Sequence, residues 1–189
     1  MVEKQCLEKT DAELVELSLK NSNNFLCLLK RYEKKLLFYI VRLSGFREEE
    51  AEDVLQEVFV KTYYNLRDFD SRLKFSSWIY RIAHNETISA LRKKKVRPAE
   101  LLDDESWLKI ATKLDVQEFV ENVLLHEQIK HIIDRIDEKY RDVLILRFLE
   151  EKDYAEISDI LKKPVNTVST LINRARKIFK KEFDKYERK

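Results

Sequence analysis

Apolar residues in this chain recur at three- and four-residue spacing in one stretch after another, the period of helices that bury one face. Asp11 stands as an N-cap for the first helix, with Leu14, Val15, Leu17 and Leu19 beginning its apolar content. Phe25, Leu28, Leu29, Tyr32, Leu36, Leu37, Tyr39, Ile40 and Leu43 continue at helical spacing to Ser44-Gly45, where the glycine suits the left-handed conformation that closes a helix. Residues 51–66 form the next long helix, with Val54, Leu55, Val58, Phe59, Tyr63 and Leu66 as its buried stripe. Asp53, Gln56, Glu57 and Lys61 lie off that stripe and make a mainly acidic edge, which suits either a solvated face or a docking surface for a basic partner.

Periodicity lapses in RDFDSRLK, residues 67–74, which reads as a loop. A helix then starts at Phe75-Ser76-Ser77-Trp78, with Ile79, Ile82, Ala83, Ile88 and Leu91 able to join Trp78 on a core face. Tyr80, Arg81, His84 and Asn85 mix aromatic, cationic and amide groups, and the helix ends in the basic run Arg92 to Lys95. Aromatic rings beside phosphate-binding cations hold single-stranded nucleic acid. Helical aromatics more often simply fill a core, so Phe75, Trp78 and Tyr80 fit both roles. Arg97-Pro98 stops the helix, because proline pushes its predecessor out of helical geometry. An acidic, weakly periodic stretch follows and reads as a linker. The chain therefore divides into a helical domain at residues 1–97, a linker at 98–121 and a second helical domain at 122–189.

In the second domain, Val123, Leu124, Ile129, Ile132, Ile133 and Ile136 mark one helix, and Tyr140, Val143, Leu144, Leu146 and Phe148 mark another. Residues 154–179, YAEISDILKKPVNTVSTLINRARKIF, then read as two helices joined across Lys162-Lys163. Pro164 sits at a helix start, where its missing N–H has no intrahelical partner to lose. Val168, Leu171, Ile172, Ala175, Ile178 and Phe179 share one face. Asn166, Ser169, Thr170, Asn173 and Lys177 point away from it, with Arg174, Arg176, Lys180 and Lys181 among the cations that follow. This is a helix-turn-helix pattern whose short polar side chains admit close approach to base edges in a major groove, with cations downstream to reach phosphates. An αα-hairpin with a solvated basic face gives the same pattern.

One glycine and two prolines in 189 residues rule out sandwiches, barrels, Rossmann loops and phosphate-cradling loops, and leave an all-α protein. The formal charge of +2, from 37 basic and 35 acidic residues, hides an uneven distribution, acidic over residues 100–127 and basic at Arg92 to Lys95 and beyond Lys162. Cys6 and Cys27 read as small apolar residues on helical patterns in a reducing interior. Neither a signal peptide nor a membrane span is evident, so a cytoplasmic location without membrane insertion is expected. His84, His126 and His131 form no ligand pattern with either cysteine, and no nucleophile motif is present. No catalytic, cofactor or metal site is expected.

Three segments together carry a resemblance to one family. AEDVLQEVFVKTYYNL, KFSSWIYRIAHN and YAEISDILKKPVNTVSTLINRARKIF resemble, in order and separation, motifs of bacterial RNA polymerase sigma factors of the extracytoplasmic-function kind. The resemblance implies that Asp53, Gln56 and Glu57 dock on the clamp helices of the polymerase β′ subunit. It implies minus-10 recognition and melting by the loop from Phe69 to Phe75 and by Trp78, Tyr80, Arg81, Asn85, Arg92 and Lys93, with a flipped base held in a pocket. It implies minus-35 contacts from Asn166, Thr167, Ser169, Thr170, Asn173, Arg174 and Lys177, and an acidic connector threaded through the enzyme. The implied partners are core RNA polymerase through its β′ clamp helices and β flap, promoter DNA both duplex and single-stranded, and an anti-sigma protein. Lys162 stands at a turn position often held by glycine, Ser71 replaces a frequent loop glycine, and Ser169 and Leu171 stand where basic residues are common. A stand-alone helix-turn-helix regulator of duplex DNA is the competing reading. It would need neither the DVLQE edge nor the aromatic surface.

Overall fold

The computed structural model describes residue 6, residues 8–94 and residues 136–187, the last with side chains through 181. Every regular element among the described residues is helical. The linker expected at 98–121, the helix expected before Ile136, and Lys95, His126 and His131 lie outside the described residues.

Helix α1 spans Asp11–Lys20. Its N-cap is Thr10, one residue earlier than the pattern suggests: the Thr10 hydroxyl accepts from the Glu13 N–H at 3.3 Å and the Glu13 carboxylate accepts from the Thr10 N–H at 2.7 Å. Asp11 is freed for a tertiary role, accepting from Arg31 Nη1 at 2.6 Å and from the Tyr32 hydroxyl at 2.5 Å. The helical spacing that runs on toward Phe25 is interrupted by asparagines that hydrogen-bond locally instead of joining the helix. Asn21 Oδ1 accepts from the Asn23 N–H at 3.0 Å and Asn24 Nδ2 donates to the Leu17 carbonyl at 3.1 Å, leaving a single 3-10 turn at Ser22–Asn24.

Helix α2, Phe25–Ser44, ends at Gly45 with φ 68°, where a Cβ would be costly. Helix α3, Glu48–Tyr64, opens with three glutamates that face the positive end of the helix dipole. Helix α4 spans Phe75–Lys94. Together α2, α3 and α4 pack around Leu36, Tyr39, Ile40, Val58, Ile79 and Ala83, all essentially excluded from solvent. Removing side chains of this size from water stabilises by about 1.5–3 kcal/mol each. Two of the hydroxyls buried in this core are satisfied within their own helices, Thr62 and Thr87 donating to the carbonyls of Val58 and Ala83 one turn back.

Cys6 and Cys27 depart from their sequence reading as free thiols: they are joined by a disulfide, with Cα atoms 5.2 Å apart. Arg31 explains the meeting. Its Nη2 donates to the carbonyls of Cys6 and Lys9 at 2.6 and 2.7 Å, folding the N-terminal strap back over α2. Two cysteines 21 positions apart carry no local signal of such a pairing.

The second half begins with α5, Glu138–Leu144, which runs into a π-helical turn at Ile145–Leu149. Helices α6, Tyr154–Leu161, and α7, Val165–Glu187, complete it. Read from the sequence, the halves are separate modules on a tether. In the folded chain they touch: α6 lies along α4, and the buried residues of both halves form one cluster.

Candidate polymerase and nucleic-acid interfaces

Three surfaces hold the residues singled out from the sequence. The first is the outer face of α3. Asp53, Gln56 and Glu57 are exposed there, as the buried positions Ala51, Val54, Leu55 and Val58 require of the residues between them. Lys61 is engaged with Glu86 of α4 at 2.6 Å and so belongs to the α3–α4 seam. Two residues the sequence reading missed extend the face: Val60 and Tyr64 follow Gln56 and Glu57 at helical spacing and are 49% and 77% exposed. Continuing the i+3 and i+4 steps past Glu57 would have found them. Tyr63, expected in the buried stripe, is instead 44% exposed and packs edge-on against Phe25 at 5.3 Å.

The second surface is the loop before α4 and that helix itself. Asp70 and Arg72 form a tight turn in which Arg72 Nε and Nη2 both reach the carboxylate at 2.7–3.1 Å. These bonds hold the Asp70 pKa down at about 2. Behind the turn, Phe69 meets Phe75 at 5.5 Å and Trp78 at 5.2 Å, ring centre to ring centre. The loop walls a pocket of about 310 Å³ whose opposite side is Thr10, Asp11 and Ala12 of the N-terminal segment. Asn85, Arg92 and Lys93 are exposed, Phe69 and Arg81 half-buried. Phase on the helix decides the rest: Phe75, Trp78 and Tyr80 are each less than a tenth exposed. In this arrangement their rings face protein, the core-filling role that the sequence also allowed.

Tyr80 shows what covers it. Its hydroxyl donates to Glu150 Oε2 at 2.8 Å, and Lys152 Nζ lies 4.1 Å from its ring centre. The other oxygen of Glu150 accepts from Arg42 Nη1 at 2.7 Å, and the Glu150 side chain is only 6% exposed. Just before α4, Lys74 reaches Asp153 at 3.3 Å and Glu156 at 3.7 Å, and in its first turn Ser76 lies 3.5 Å from Glu156. Beneath these pairs Tyr39 shares a hydrogen bond with His84 Nδ1 at 3.0 Å, and His84 Nε2 is 3.9 Å from Asp142. Burial opposes charge on both: it lowers His84 to about 4 and raises Asp142 to about 7.

The third surface is the helix-turn-helix. Asp153 caps α6 in a reciprocal box with Glu156, the Glu156 N–H donating to Asp153 Oδ1 at 2.8 Å and the Asp153 N–H donating back to Glu156 Oε2 at 3.1 Å. Lys162 ends the helix with φ 53°, and the Ser158 hydroxyl ties the turn by donating to the Lys163 carbonyl at 2.6 Å. Pro164 precedes α7 and its carbonyl accepts the first helical bond, from the Val168 N–H at 3.0 Å. Val168, Leu171, Ile172, Ala175 and Phe179 are buried, and Ile157 and Ile160 of α6 are buried with them. Asn166, Thr167, Thr170, Asn173, Arg174, Arg176 and Lys177 are exposed, with Ser169 half-buried at the margin. The Thr170 hydroxyl donates to the Asn166 carbonyl at 2.8 Å, which leaves its oxygen free to accept. Among the described side chains of α7 this face has donors, acceptors and cations and no carboxylate that would repel a phosphate.

An exposed acidic edge, a loop pocket beside a helix with a basic end, and a helix-turn-helix with an amide-and-cation outer face suit a protein that meets a basic partner on one side and nucleic acid on another. Residues 28–97 match Sigma-70 region 2, and residues 126–178 match Sigma-70, region 4. The chain is 36% identical over 158 residues to the ECF RNA polymerase sigma factor SigW of Bacillus subtilis, a match covering 80% of this chain and 84% of that protein. It is 30% identical over 177 residues to the ECF RNA polymerase sigma-E factor of Haemophilus influenzae, covering 89% and 93%. The solved structure of CnrH in complex with the cytosolic domain of CnrY shares the fold, with a TM-score of 0.66 at 22% identity over 92% of this chain and 97% of that one. The chain belongs to the extracytoplasmic-function sigma factors, DNA-binding subunits that bring RNA polymerase to transcription initiation.

Proposed function

We propose that this sigma factor divides its work between the domains at 1–97 and 122–189, joined by the acidic connector at 98–121. Asp53, Gln56 and Glu57 dock on the β′ clamp helices. The loop from Phe69 to Phe75, with Trp78, Tyr80, Arg81 and Asn85, reads and holds the minus-10 element as it opens, and Arg92 and Lys93 neutralise its phosphates. Asn166, Thr167, Ser169, Thr170, Asn173, Arg174 and Lys177 read the minus-35 element in the major groove, with the β flap steadying this domain. The protein works in the cytoplasm, performs no chemistry of its own, and is held in reserve by an anti-sigma protein. The sigma factor RpoE of Bartonella quintana, solved in complex with the anti-sigma factor NepR, supports that last assignment.

One observation carries the reading. A single chain presents two exposed helix faces of opposite character, acidic on α3 and amide-cationic on α7, each backed by a fully buried stripe. An acidic face repels DNA and suits a basic protein, whereas the α7 face suits phosphates and base edges. The test is Asp53→Lys combined with Glu57→Lys. The doubly substituted chain, folded by circular dichroism, should lose co-purification with core polymerase and all promoter-directed transcription while still retaining duplex DNA on a column. Undiminished co-purification would remove the docking assignment.

A further inference from the structure

Three ties fasten the N-terminal strap along one side of α2. Cys6 is bonded to Cys27, the carbonyls of Cys6 and Lys9 accept from Arg31 Nη2, and the Asp11 carboxylate accepts from Arg31 Nη1 and from the Tyr32 hydroxyl. Cys27 and Arg31 stand four residues apart on the helix, so their side chains share a face. From there the contacts run into the loop assigned to the minus-10 strand. The Tyr32 ring meets Phe75 edge-on at 5.6 Å, Phe75 meets Phe69 at 5.5 Å, and Thr10, Asp11 and Ala12 wall the pocket of about 310 Å³ opposite Phe69, Ser71 and Leu73. Without the strap this pocket has one side. The Thr10 hydroxyl is occupied in the capping box, but each Asp11 carboxylate oxygen takes one of the bonds above and keeps a lone pair for the amino group of a flipped base.

We propose that Cys6 and Cys27 are a redox-modification site that sets how well the chain reads the minus-10 strand: joined, they hold the strap as the second wall of the pocket, and as free thiols they release it. The inference rests on the assignment of the loop from Phe69 to Phe75 made above. In the cytoplasm assigned there thiols are kept reduced, and a cysteine pair that closes a bond in that compartment is usually catalytic or redox-sensing. A Cα separation of 5.2 Å lets the bond form without moving the backbone, and the chain has no third cysteine to compete. Hydrogen peroxide is the oxidant class that balances the step. One thiol takes an oxygen atom from the peroxide, giving a sulfenic acid and one water, and the sulfur of the other displaces the hydroxyl as a second water. Two electrons leave the sulfur pair and reduce the peroxide. A dithiol returns two electrons and two protons and itself becomes a disulfide. Once the bond is open, the strap keeps only hydrogen bonds and an Arg31–Asp11 pair whose side chains are 24% and 27% exposed, contacts that water replaces at little cost.

The test uses the full chain in two states. Wild type is reduced with dithiothreitol or oxidised with hydrogen peroxide, freed of reagent by desalting, and only then mixed with core polymerase. Maleimide labelling after denaturation should find both cysteines free in the reduced form and neither in the oxidised, with the chain monomeric on a non-reducing gel. Amide exchange over residues 8–12 should be about tenfold faster in the reduced form and unchanged in α3. At limiting promoter the oxidised form should initiate about tenfold more often, the factor that one well-placed hydrogen bond contributes. The two forms should be equal in binding minus-35 duplex and in initiating at a promoter made abasic at the flipped minus-10 position. Cys6→Ser with Cys27→Ser should behave as the reduced form after either treatment. Free thiols or a disulfide between chains after peroxide, equal exchange, or equal initiation by the two forms would each overturn the proposal. So would a tenfold difference that persists on the abasic promoter, because the effect would then lie outside the pocket. Failure of both forms to start transcription would refute the sigma reading instead, and the thiol count and exchange would still decide whether the strap is under redox control.

Discussion

Helices α4 and α7 carry the two candidate DNA-reading faces at similar length, 20 and 23 residues, and present them in opposite ways. Helix α7 buries Val168, Leu171, Ile172 and Phe179, half-buries Ile178, and turns small polar and cationic groups outward, so its candidate face is open in the free chain. Helix α4 holds its aromatic residues under protein, with Tyr80 capped by Glu150 and Lys152. The difference follows from what each would read. An intact major groove offers hydrogen-bond donors and acceptors, and polar side chains wait for these in water at little cost. Unstacked bases are held by aromatic faces, and leaving several such rings in water forfeits the burial that stabilises them.

Breaking the inner face of α7 should give the largest effect. Ile172→Ala removes a fully buried side chain from the inner face of α7 and should cost about 2–5 kcal/mol by denaturant titration, taking duplex DNA binding with it. A loss of DNA binding with unchanged stability would mean that Ile172 acts in some way other than packing.

Asp142 tests the seam between the halves. Its folded pKa, about 7, is above its unfolded value near 3.8, so the folded state holds a proton that the unfolded state has lost. Stability therefore falls as pH rises between about 4 and 7. His84 works the other way. Its folded value of about 4 is below 6.5, so stability rises across about 4 to 6.5 and masks part of the Asp142 effect. Asp142→Asn should gain stability relative to wild type as pH rises toward 7, on the order of 2 kcal/mol at pH 8. A difference between the two chains that stays constant from pH 4 to 8 would show that Asp142 ionises normally.

On the open face of α7, amide and cation should separate. Asn173→Ala should cost about 1–2 kcal/mol against the preferred minus-35 bases and little against scrambled duplex. Lys177→Ala should weaken both alike and reduce the slope of log affinity against log salt by about 1. Equal losses on both sequences for Asn173→Ala would place it on phosphate. The smallest change is expected in the turn. Lys162 holds φ 53°, which strains a side chain with a Cβ, so Lys162→Gly should stabilise by about 1 kcal/mol without altering sequence preference.

Local physics made much of the fold legible. The inner stripe Val168, Leu171, Ile172, Ala175 and Phe179 and the exposed residues opposite it follow from a 3.6-residue period. The stops at Gly45 and Pro164 follow from backbone rules that operate within one turn. Asp11 was misplaced as a cap because Thr10 and Asp11 are equally good capping residues, and only the distant Arg31 and Tyr32 claim the aspartate. Val60 and Tyr64, by contrast, follow from the same local period once its steps are continued past Glu57.

The sequence by itself determined a helical protein and the inward and outward faces of α7, because those depend on neighbours three and four residues away. Only the tertiary structure decided that Cys6 meets Cys27, that Tyr80 lies under Glu150 and that Lys74 reaches Asp153, contacts that span 21, 70 and 79 positions. No periodicity extends that far. Such pairs form when whole helices dock, and docking depends on the summed shape and charge of surfaces that no single stretch of sequence displays.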